Sequence, residues 1–445
     1  MKKIKSLITC MCLLFFGSHV LVISQEKPDT LSFKPFFWKS QTPSDCPFRQ
    51  SKELTGIKFL GLKSGFHYGD TWYPTWGSDD NLYSPWTDGT TNGVNSWSSG
   101  FSNNGVVDSE GNPARKATTG QAVIYGNDPL SIHVDVVGLS QADPYPYGGR
   151  YPCGSLMYNG IWYYGTYCLS PYGITRYGDN IYNWPLLGPF IGFRYSKDHG
   201  KTWVETPNTP YKSIFNETGI GGYPVKIGSP HFVDFGRNMQ YSPDGKAYLV
   251  AHGSDIFGSG KTFYHNSWIT GDQIYLIRVI PSVENINDPA KYEFYAGKNE
   301  KGDPTWTSDF RKIKPLLEWT GKMGCVTITY NAPLKKYLMC VTDGGNTCAK
   351  MNTYILESEQ LTGEWKIITY LKDFGEQAYF VNFPSKFISQ DGKTAWMLYS
   401  GNFAPDWNDI KIQVNPPGTH YGLVMQKVEF LLNNTEYKTG PDSRR

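Results

Sequence analysis

The chain contains 445 residues, with 42 Lys and Arg against 40 Asp and Glu, so its net charge is only +2. This balance gives no reason to expect a nucleic-acid partner, which would favour a strongly basic surface. Aromatic residues make up 16% of the chain, charged residues make up 18%, and there are 47 glycines. Many aromatics and many turn formers favour an all-β fold over a helical one.

The first 24 residues are typical of a secretory signal peptide. Lys2, Lys3 and Lys5 precede an apolar run from residue 7 to residue 23, and cleavage is expected after Ser24. Loss of these three lysines changes the net charge from +2 to −1. No later stretch is apolar enough to cross a bilayer. We therefore expect a secreted or periplasmic protein with no membrane partner.

The remaining chain divides into an irregular, Pro-rich lead-in (25–53), a strand-rich region (54–433) and a polar tail (434–445). The strand signals come in packets that are separated by turn residues: 56–139, 151–204, 230–294, 314–370 and 378–432. Five packets of about four strands each predict a single five-bladed β-propeller. Two β-sandwiches are the alternative, but the chain shows no linker between two domains.

A hairpin opens the first packet. Two apolar-aromatic runs, 72–76 and 82–86, are joined by the turn formers of residues 77–81. This arrangement places Asp70 and Asp88 together at one end of the hairpin. Paired carboxylates can act as acid and base, and the nearby Trp72 and Trp76 can stack on sugar rings. The alternative is that both aspartates only cap strands and turns.

Other local patterns predict further turns and one helical segment. Asn159 and Gly160 lie between two strand runs, and this pair favours a type I′ hairpin turn. Residues 284–292 are the one place where a short helical turn is expected. Residues 87–120 are rich in Asn, Ser and Gly and predict a surface loop.

Six cysteines follow the leader, and an exported chain can oxidise them. A turn centred between Ala332 and Pro333 would place Cys325 opposite Cys340, so a cross-strand disulfide and free buried thiols both stay open. No cysteine or histidine spacing indicates zinc. No cofactor is predicted, although propeller channels often hold cations and a structural cation at the axis is compatible with the sequence.

Residues 196–203, SKDHGKTW, match the pattern S-x-D-x-G-x-T-W. This segment resembles the Asp-box of sialidase-type propellers, in which the Asp accepts backbone N–H bonds, the Gly supplies a positive φ and the Trp packs between blades. Residues 389–396 form a looser version. The resemblance concerns the type of hairpin and carries no catalytic residue.

Longer segments resemble exported bacterial five-bladed propellers of the sialidase-like and furanosidase-like glycoside hydrolase kind, including a family that contains endo-arabinanases. The segments are 75–89, 228–253, 326–339, 355–365 and 383–400. The resemblance implies action on glycans without choosing the glycosidic bond. The arginine triad of true sialidases is not evident, which argues against sialidase activity.

In a propeller, the first strand of each packet is expected to line the axis, so its start and the end of the second strand meet at one face. This rule selects Asp70, Asp88, Arg150, Tyr151, His231, Asp234, His252, Asp343, Glu376 and Asn402. The candidate catalytic residues are Asp70, Asp88, His231, Asp234 and Glu376. The candidate substrate-binding residues are Trp72, Trp76, Arg150, Tyr151, His252, Asp343 and Asn402. Purely structural roles stay open for each: His231 as a buried core histidine, Arg150 as a loop fastener, and Glu376 as a strand cap.

Three functions compete. A glycoside hydrolase would use two of the ring carboxylates as acid and base or nucleophile. A polysaccharide lyase would use Arg150 to neutralise a uronate, with His231 and Tyr151 moving protons. A non-catalytic propeller would bind glycans without turnover. The surplus of carboxylates favours the hydrolase, with a poly- or oligosaccharide substrate and a monomeric chain. Glu357 is expected to be structural, and Asp272 to lie in an outer turn.

Overall fold

The computed structural model describes residues 27–66, 69–98, 116–169, 175–177, 180–182, 187–220, 223–255, 267–344, 350–401 and 415–433. These residues form antiparallel sheets and short 3₁₀ turns. Within these ranges no helix is long and apolar enough to cross a membrane. The predicted leader, the predicted polar tail and Asn402 lie outside the described residues.

Two strands precede the first blade in the chain: β1 (Asp29–Ser32) and β2 (Leu54–Phe66). The two strands pair with each other in antiparallel register. Between them, Phe36 stacks on Phe59 with ring centroids 4.8 Å apart. The lead-in is therefore packed against the propeller through aromatic contacts.

Blade one contains the predicted hairpin. Its sheet is β3 (Thr75–Trp76), β4 (Leu82–Trp86), β7 (Ala117–Tyr125) and β8 (His133–Ala142), and the hairpin β5 (Gly89–Thr91) and β6 (Val94–Ser96) lies between β4 and β7. Thr75 pairs with Tyr83. An isolated bridge joins Asp70 to Thr87, with the Asp70 N–H donating to the Thr87 carbonyl at 2.8 Å. This bridge confirms that Asp70 and Asp88 lie at the same end of the hairpin.

Blade two is the sheet β9 (Gly149–Tyr158), β10 (Ile161–Leu169) and β13 (Leu187–Ser196), with the hairpin β11 (Thr175–Tyr177) and β12 (Asn180–Tyr182) between β10 and β13. Asn159 and Gly160 both have positive φ, 51° and 77°, which confirms the predicted tight turn. After β13, Asp198 accepts the Thr202 N–H at 2.8 Å, and Trp203 packs edge-on against Trp162.

Blade three is built from β14 (His231–Phe232), β15 (Ala247–Gly253), β16 (Gln273–Val279), β17 (Glu293–Lys298) and β18 (Pro304–Thr307), and β19 (Leu317–Glu318) also pairs with β16.

Short 3₁₀ turns occupy Arg237–Met239, Pro289–Lys291, Phe310–Lys312 and Ser385–Phe387. The turn at Pro289–Lys291 lies inside the segment for which a short helical turn was predicted. Asp288 caps it by accepting the Ala290 N–H.

Blade four is the sheet β20 (Val326–Asn331), β21 (Lys336–Asp343), β22 (Asn352–Ser358) and β23 (Lys366–Leu371). Its first hairpin pairs Val326 with Val341, and its loop includes Lys335 at φ 53°. The predicted opposition of Cys325 and Cys340 is therefore wrong, because the four-residue loop spans 332–335 and lies one residue later than the predicted turn. Cys340 pairs with Thr327 instead.

All cysteines of the described chain are free thiols: Cys46, Cys153, Cys168, Cys325 and Cys340. The last four are buried, whereas Cys46 is partly exposed. Of the two alternatives that the sequence left open for Cys325 and Cys340, the structure shows free buried thiols.

Blade five closes the ring with strands from both ends of the chain. Its sheet runs in the order β24 (Tyr379–Asn382), β25 (Thr394–Ser400), β26 (Leu423–Leu432), β2 and β1. Leu54 pairs with Leu432, and Phe66 pairs with Leu423. The prediction that β2 belongs to the first packet is wrong, because β2 pairs with β26. Alternation of apolar and polar residues identifies a strand but does not reveal which sheet it joins.

A buried carboxylate ties the lead-in to blade four. Glu357 is 1% exposed and accepts a hydrogen bond from the Ser51 hydroxyl at 2.8 Å. The buried Lys336 ammonium lies 3.4 Å from Glu357 and also pairs with Glu53 and Glu359. Since Ser51 precedes β2, these contacts hold the chain where it enters the closing strand. The expected structural role of Glu357 fits this position.

We expect Glu357→Ala to lower the free energy of unfolding by about 1–3 kcal/mol, because Ser51 and Lys336 then lose a buried acceptor. Urea unfolding followed by tryptophan fluorescence measures the change. Glu359→Ala is the matched control: its side chain also pairs with Lys336 but is 70% exposed, so its effect should stay below about 0.5 kcal/mol. Equal losses of unfolding free energy in Glu357→Ala and Glu359→Ala would contradict the prediction.

Candidate active site

The first strands of the five blades, β3, β9, β14, β20 and β24, each pair with the second strand of the same blade in antiparallel order. The start of each first strand and the end of each second strand therefore lie on one face, which we call the upper face. The opposite end, where the first strand turns into the second, is the lower face. This geometry sorts the candidate residues by height along the axis.

Asp70 and Asp88 meet on the upper face, and both are partly exposed. The Tyr379 hydroxyl donates to Asp70 Oδ2 at 2.8 Å. Asp88 has the left-handed backbone conformation, with φ 52°. Its carboxylate accepts the Ser98 N–H at 2.7 Å and the Ser98 hydroxyl at 2.5 Å. Each carboxylate is thus oriented by a fixed donor from another segment.

The two carboxyl groups differ in their electrostatic surroundings. Burial, and then the charge of Asp88, raise the pKa of Asp70 well above its usual value. Burial also raises the pKa of Asp88, but the two bonds from Ser98 oppose the rise, and the result is about 6. The charge of Asp88 therefore favours the protonated form of Asp70, whereas the bonds from Ser98 favour the ionised form of Asp88. Such a separation is typical of an acid and base pair.

Tyrosines from several blades surround the pair. The Tyr421 hydroxyl donates to the Asp88 carbonyl at 2.7 Å. Tyr151, at the start of β9, is buried, and Asp88 and Asp70 both contribute to the rise in its pKa after burial itself. Tyr379 and Tyr421 were not among the site residues that the sequence predicted. Tyr379 is the first residue of β24, so the rule that selected Tyr151 also applied to it.

His231 lies at the start of β14 and is fully enclosed. Its Nδ1 accepts the Gly154 N–H at 3.0 Å, its Nε2 is 3.2 Å from the Ser229 hydroxyl, and its ring stacks on Tyr73 with centroids 3.6 Å apart. Burial, and then His252, lower the pKa of His231 well below its usual value. His231 is therefore neutral at physiological pH.

His252 lies at the end of β15 and is also buried. Its Nε2 is 2.9 Å from the Ser267 carbonyl, so this nitrogen carries the proton. Burial lowers the pKa of His252 to about 4. Its Nδ1 has no hydrogen-bond partner within the described part of the chain.

Asp234 lies three residues after His231, toward the lower face. Its carboxylate accepts the Gly236 N–H at 2.9 Å and both the N–H and the hydroxyl of Ser385 at 2.7 Å. Its backbone forms a bridge to Thr329. These bonds connect blade three to blades four and five. The structure does not bring Asp234 together with Asp70 and Asp88 through any contact.

A cavity along the axis lies between these two levels and is lined by His231 and Asp234 among others. It offers about 40 Å³ to water-sized molecules, which is room for a few waters but not for a sugar ring. The axial cavity itself therefore cannot hold a sugar ring.

Two further candidates are engaged in local contacts. Glu376 is buried and lies 2.9 Å from the Lys350 ammonium. Asp343, at the end of β21, accepts the Tyr354 hydroxyl at 3.1 Å and pairs with Lys322 at 3.3 Å. Glu376 therefore joins the segments that precede β22 and β24, and Asp343 joins β21 to β22.

The Arg150 guanidinium is turned into blade two. Its Nε donates to the Thr166 hydroxyl at 2.9 Å, and its Nη1 lies 3.5 Å from the Asp143 carbonyl. Burial, and then Arg194, lower the pKa of Arg150. The backbone N–H of Arg150 donates to the Ser98 carbonyl at 2.9 Å. Arg150 thus holds the segment that orients Asp88.

The tryptophans are placed differently from the sequence expectation. Trp72 is fully buried, stacks on Trp86 at 6.0 Å and 12°, and donates to the Gly69 carbonyl. The Trp72 ring packs in the hydrophobic core between blades one and five, so neither of its faces is accessible to a sugar. Trp76 is partly buried and donates to Asp80 at the lower end of the hairpin. Trp97, one residue before Ser98, is 46% exposed and was missed by the sequence analysis.

No family model and no curated protein matches the chain. Solved structures with a similar arrangement include a putative hydrolase from Bacteroides ovatus ATCC 8483 (12% identity, TM-score 0.43, covering 88% of this chain and 96% of that one). Zg3597, a family 117 glycoside hydrolase of the marine bacterium Zobellia galactanivorans, is 12% identical, with a TM-score of 0.45 and coverage of 93% and 96%.

A third similar structure is CoXyl43, a GH43 β-xylosidase/α-arabinofuranosidase from a compost microbial metagenome in complex with xylotriose. It is 12% identical, with a TM-score of 0.41 and coverage of 87% of this chain and 100% of that one. At these identities and TM-scores the activities of the three proteins are not transferred to this chain. The case for function therefore rests on the side chains themselves.

We expect Ser98→Ala to raise the pKa of Asp88 above about 6, because the variant loses the hydroxyl that stabilises the ionised carboxylate. The titration is measured by carboxyl-carbon NMR of protein labelled at aspartate, with Asp88→Asn to assign the signal. Ser131→Ala, whose hydroxyl bonds the Asp128 carbonyl far along blade one, is the control. An unchanged midpoint in Ser98→Ala would contradict the geometry of this bond.

Proposed function

We propose that this chain is an exported glycoside hydrolase that cleaves a poly- or oligosaccharide at the upper face of the propeller. The observation that carries the proposal is the pair Asp70 and Asp88, which lie together at that face with different pKa values. Two carboxyl groups, one protonated and one ionised, are what hydrolysis of a glycosidic bond requires. The segments that resemble glycoside hydrolase propellers point to the same class.

Asp70 is the proposed general acid and gives its proton to the leaving glycosidic oxygen as the bond to the anomeric carbon breaks. Asp88 is the proposed general base or nucleophile. In an inverting reaction it takes a proton from the attacking water; in a retaining reaction it bonds the anomeric carbon, and water later displaces it. In both cases one water is consumed and each sugar fragment gains a hydroxyl. The reaction needs no cofactor.

The surrounding side chains support these roles. Tyr379 orients the Asp70 carboxyl group, and Ser98 orients Asp88. Burial and the charge of Asp88 keep the pKa of Asp70 high, although the hydrogen bonds from Tyr379 and Tyr421 lower it in part. The neutral His231 carries no charge at physiological pH, so we assign it a positioning role at the floor of the site. Trp97 is the proposed sugar-stacking residue in place of Trp72.

Lyase chemistry has less support from the contacts. It would require the Arg150 guanidinium to meet a uronate, but this group is bonded inside blade two to Thr166 and Asp143. Asp234, Asp343 and Glu376 each have partners on another segment of the chain, so we propose structural roles for them. Export with cleavage after Ser24 and a monomeric state remain part of the proposal and rest on the sequence.

We expect Asp70→Asn and Asp88→Asn each to reduce hydrolysis at least about 100-fold, the usual effect of losing an acid or base catalyst. The assay measures new reducing ends from arabinan, xylan, arabinoxylan and agarose, together with near-ultraviolet absorbance. Glu217→Gln is the control, because Glu217 also has a raised pKa, about 7, but binds the Lys226 and Ile227 N–H groups between blades two and three.

Product absorbance that survives both Asp variants would overturn the hydrolase in favour of a lyase. Binding of a polysaccharide without any turnover would overturn it in favour of a glycan-binding propeller. Activity lost in Glu217→Gln as fully as in the Asp variants would show that the assay responds to folding rather than to the carboxyl pair.

The pH profile of hydrolysis should be bell-shaped. Asp88 must be ionised, so kcat/KM should fall as the pH drops through about 6. Asp70 must be protonated, so kcat/KM should also fall as the pH rises through its elevated pKa. Initial rates from about pH 4 to about pH 9 test both limbs. Ser98→Ala should move the acidic limb to higher pH, and a profile without an acidic limb near pH 6 would contradict the assignment.

A further inference from the structure

Exposed aromatic rings extend over the upper side of blades one and two, away from the axis. Trp97 is 46% exposed, Tyr145 is 56% exposed and Tyr211 is 69% exposed. Large exposed aromatic groups that cluster on one side of a protein indicate a binding surface, whereas single scattered ones do not. We call these three residues the aromatic track.

The outer part of the track is a pair of rings in contact. The Tyr145 and Tyr211 rings lie 6.0 Å apart at 61°. Tyr211 is displayed by a closed turn, in which Thr209 and Lys212 exchange backbone hydrogen bonds of 3.1 and 3.0 Å. Tyr145 is held by its own N–H, which donates to Asp143 Oδ1 at 2.8 Å. Hydrogen bonds therefore hold the backbone that carries both rings, which reduces the conformational entropy lost on binding.

Hydrogen bonds connect this outer pair to the carboxylates. Ser98 binds Asp88, and the Ser98 carbonyl accepts the Arg150 N–H. The Arg150 guanidinium reaches the Asp143 carbonyl at 3.5 Å, and Asp143 holds the Tyr145 backbone. The segment that carries Trp97 and the segment that carries Tyr145 are thus held together through Arg150.

The chemistry of the track suits the faces of sugar rings. Tyrosine and tryptophan offer a broad apolar face with a polar edge, and they lose little conformational entropy on binding. A sugar has the same amphipathic character, with C–H groups on its faces and hydroxyls at its edges. A hydrophobic protein partner would instead favour a continuous apolar core with a polar rim.

We propose that the aromatic track binds sugar units remote from the cleaved bond, so that the substrate is a polysaccharide chain several sugars long. This inference rests on the proposed function, because it takes Asp70 and Asp88 as the point of cleavage. It assigns binding of the polymer to blades one and two, and it predicts that a short oligosaccharide gains nothing from Tyr145 and Tyr211.

A matched control lies on the opposite face. Tyr241 is 45% exposed and follows the 3₁₀ turn between the first and second strands of blade three. This connection belongs to the lower face, and the Tyr241 ring contacts Tyr330 at 5.9 Å. Tyr241→Ala therefore removes an exposed tyrosine with a ring partner, as Tyr145→Ala and Tyr211→Ala do, but far from the track.

The binding test uses the full mature chain carrying Asp70→Asn, which prevents turnover. Native gels containing soluble arabinan, xylan or arabinoxylan measure retardation, and the polysaccharide concentration that halves mobility gives an apparent Kd. We expect Tyr145→Ala and Tyr211→Ala each to weaken the apparent Kd about 3- to 10-fold, the effect of losing one aromatic contact. Tyr241→Ala should leave the apparent Kd unchanged.

The kinetic test uses the active chain. Both track variants should raise KM for the polymer several-fold with kcat unchanged, because they remove uniform binding. They should leave kcat/KM for the matching trisaccharide unchanged. Failure of the proposed function is distinguishable: no turnover of any substrate, together with retardation that the track variants weaken, would reject hydrolysis and retain the track.

Three results would overturn the track. In the first, none of the polysaccharides retards the Asp70→Asn chain. Another is an equal loss in Tyr241→Ala and in the track variants. The third is a change in sedimentation of the track variants without a change in retardation, which would identify the surface as a contact between proteins.

Discussion

Pairing of β2 with β26 is the interaction on which the propeller depends. The two strands run beside each other from Leu54 and Leu432 to Phe66 and Leu423, and they join parts of the chain that are remote in sequence. Bringing these distant parts of the chain together costs conformational entropy, which the hydrogen bonds of the long ladder and the burial of a shared core offset. Once this pairing forms, all five first strands are fixed around the axis, and the segments that carry Asp70 and Asp88 become neighbours.

Much of the fold could be predicted because its signals are local. The Asn159-Gly160 turn, the strand packets and the hairpin that joins Asp70 to Thr87 depend on nearby residues. The place of β2 in blade five could not be predicted, since strand alternation does not encode a partner hundreds of residues away. The predicted register around Cys325 and Cys340 was wrong for a smaller reason: the four-residue loop between the two strands lies one residue later than the turn residues indicated.

The candidate site was predictable where it followed from strand order and unpredictable where it depended on side-chain direction. The pairing of Asp70 with Asp88 follows from the hairpin. The burial of Trp72 against Trp86 and the inward turn of Arg150 depend on packing between blades. Tyr379 was within reach, because it occupies the same strand position as Tyr151. Glu376 was predicted in this blade instead, because its side chain is ionisable in the useful pH range.

The left-handed backbone at Asp88 has an evolutionary consequence. A φ of 52° is accepted readily by glycine, asparagine and aspartate but is costly for most other residues. A single base change converts an aspartate codon to an asparagine codon, and the backbone at this position would accept the new residue without rearrangement. If the proposed function holds, the same scaffold can therefore give rise to descendants that bind a glycan and do not cleave it, while many other replacements at this position would be removed by selection for folding.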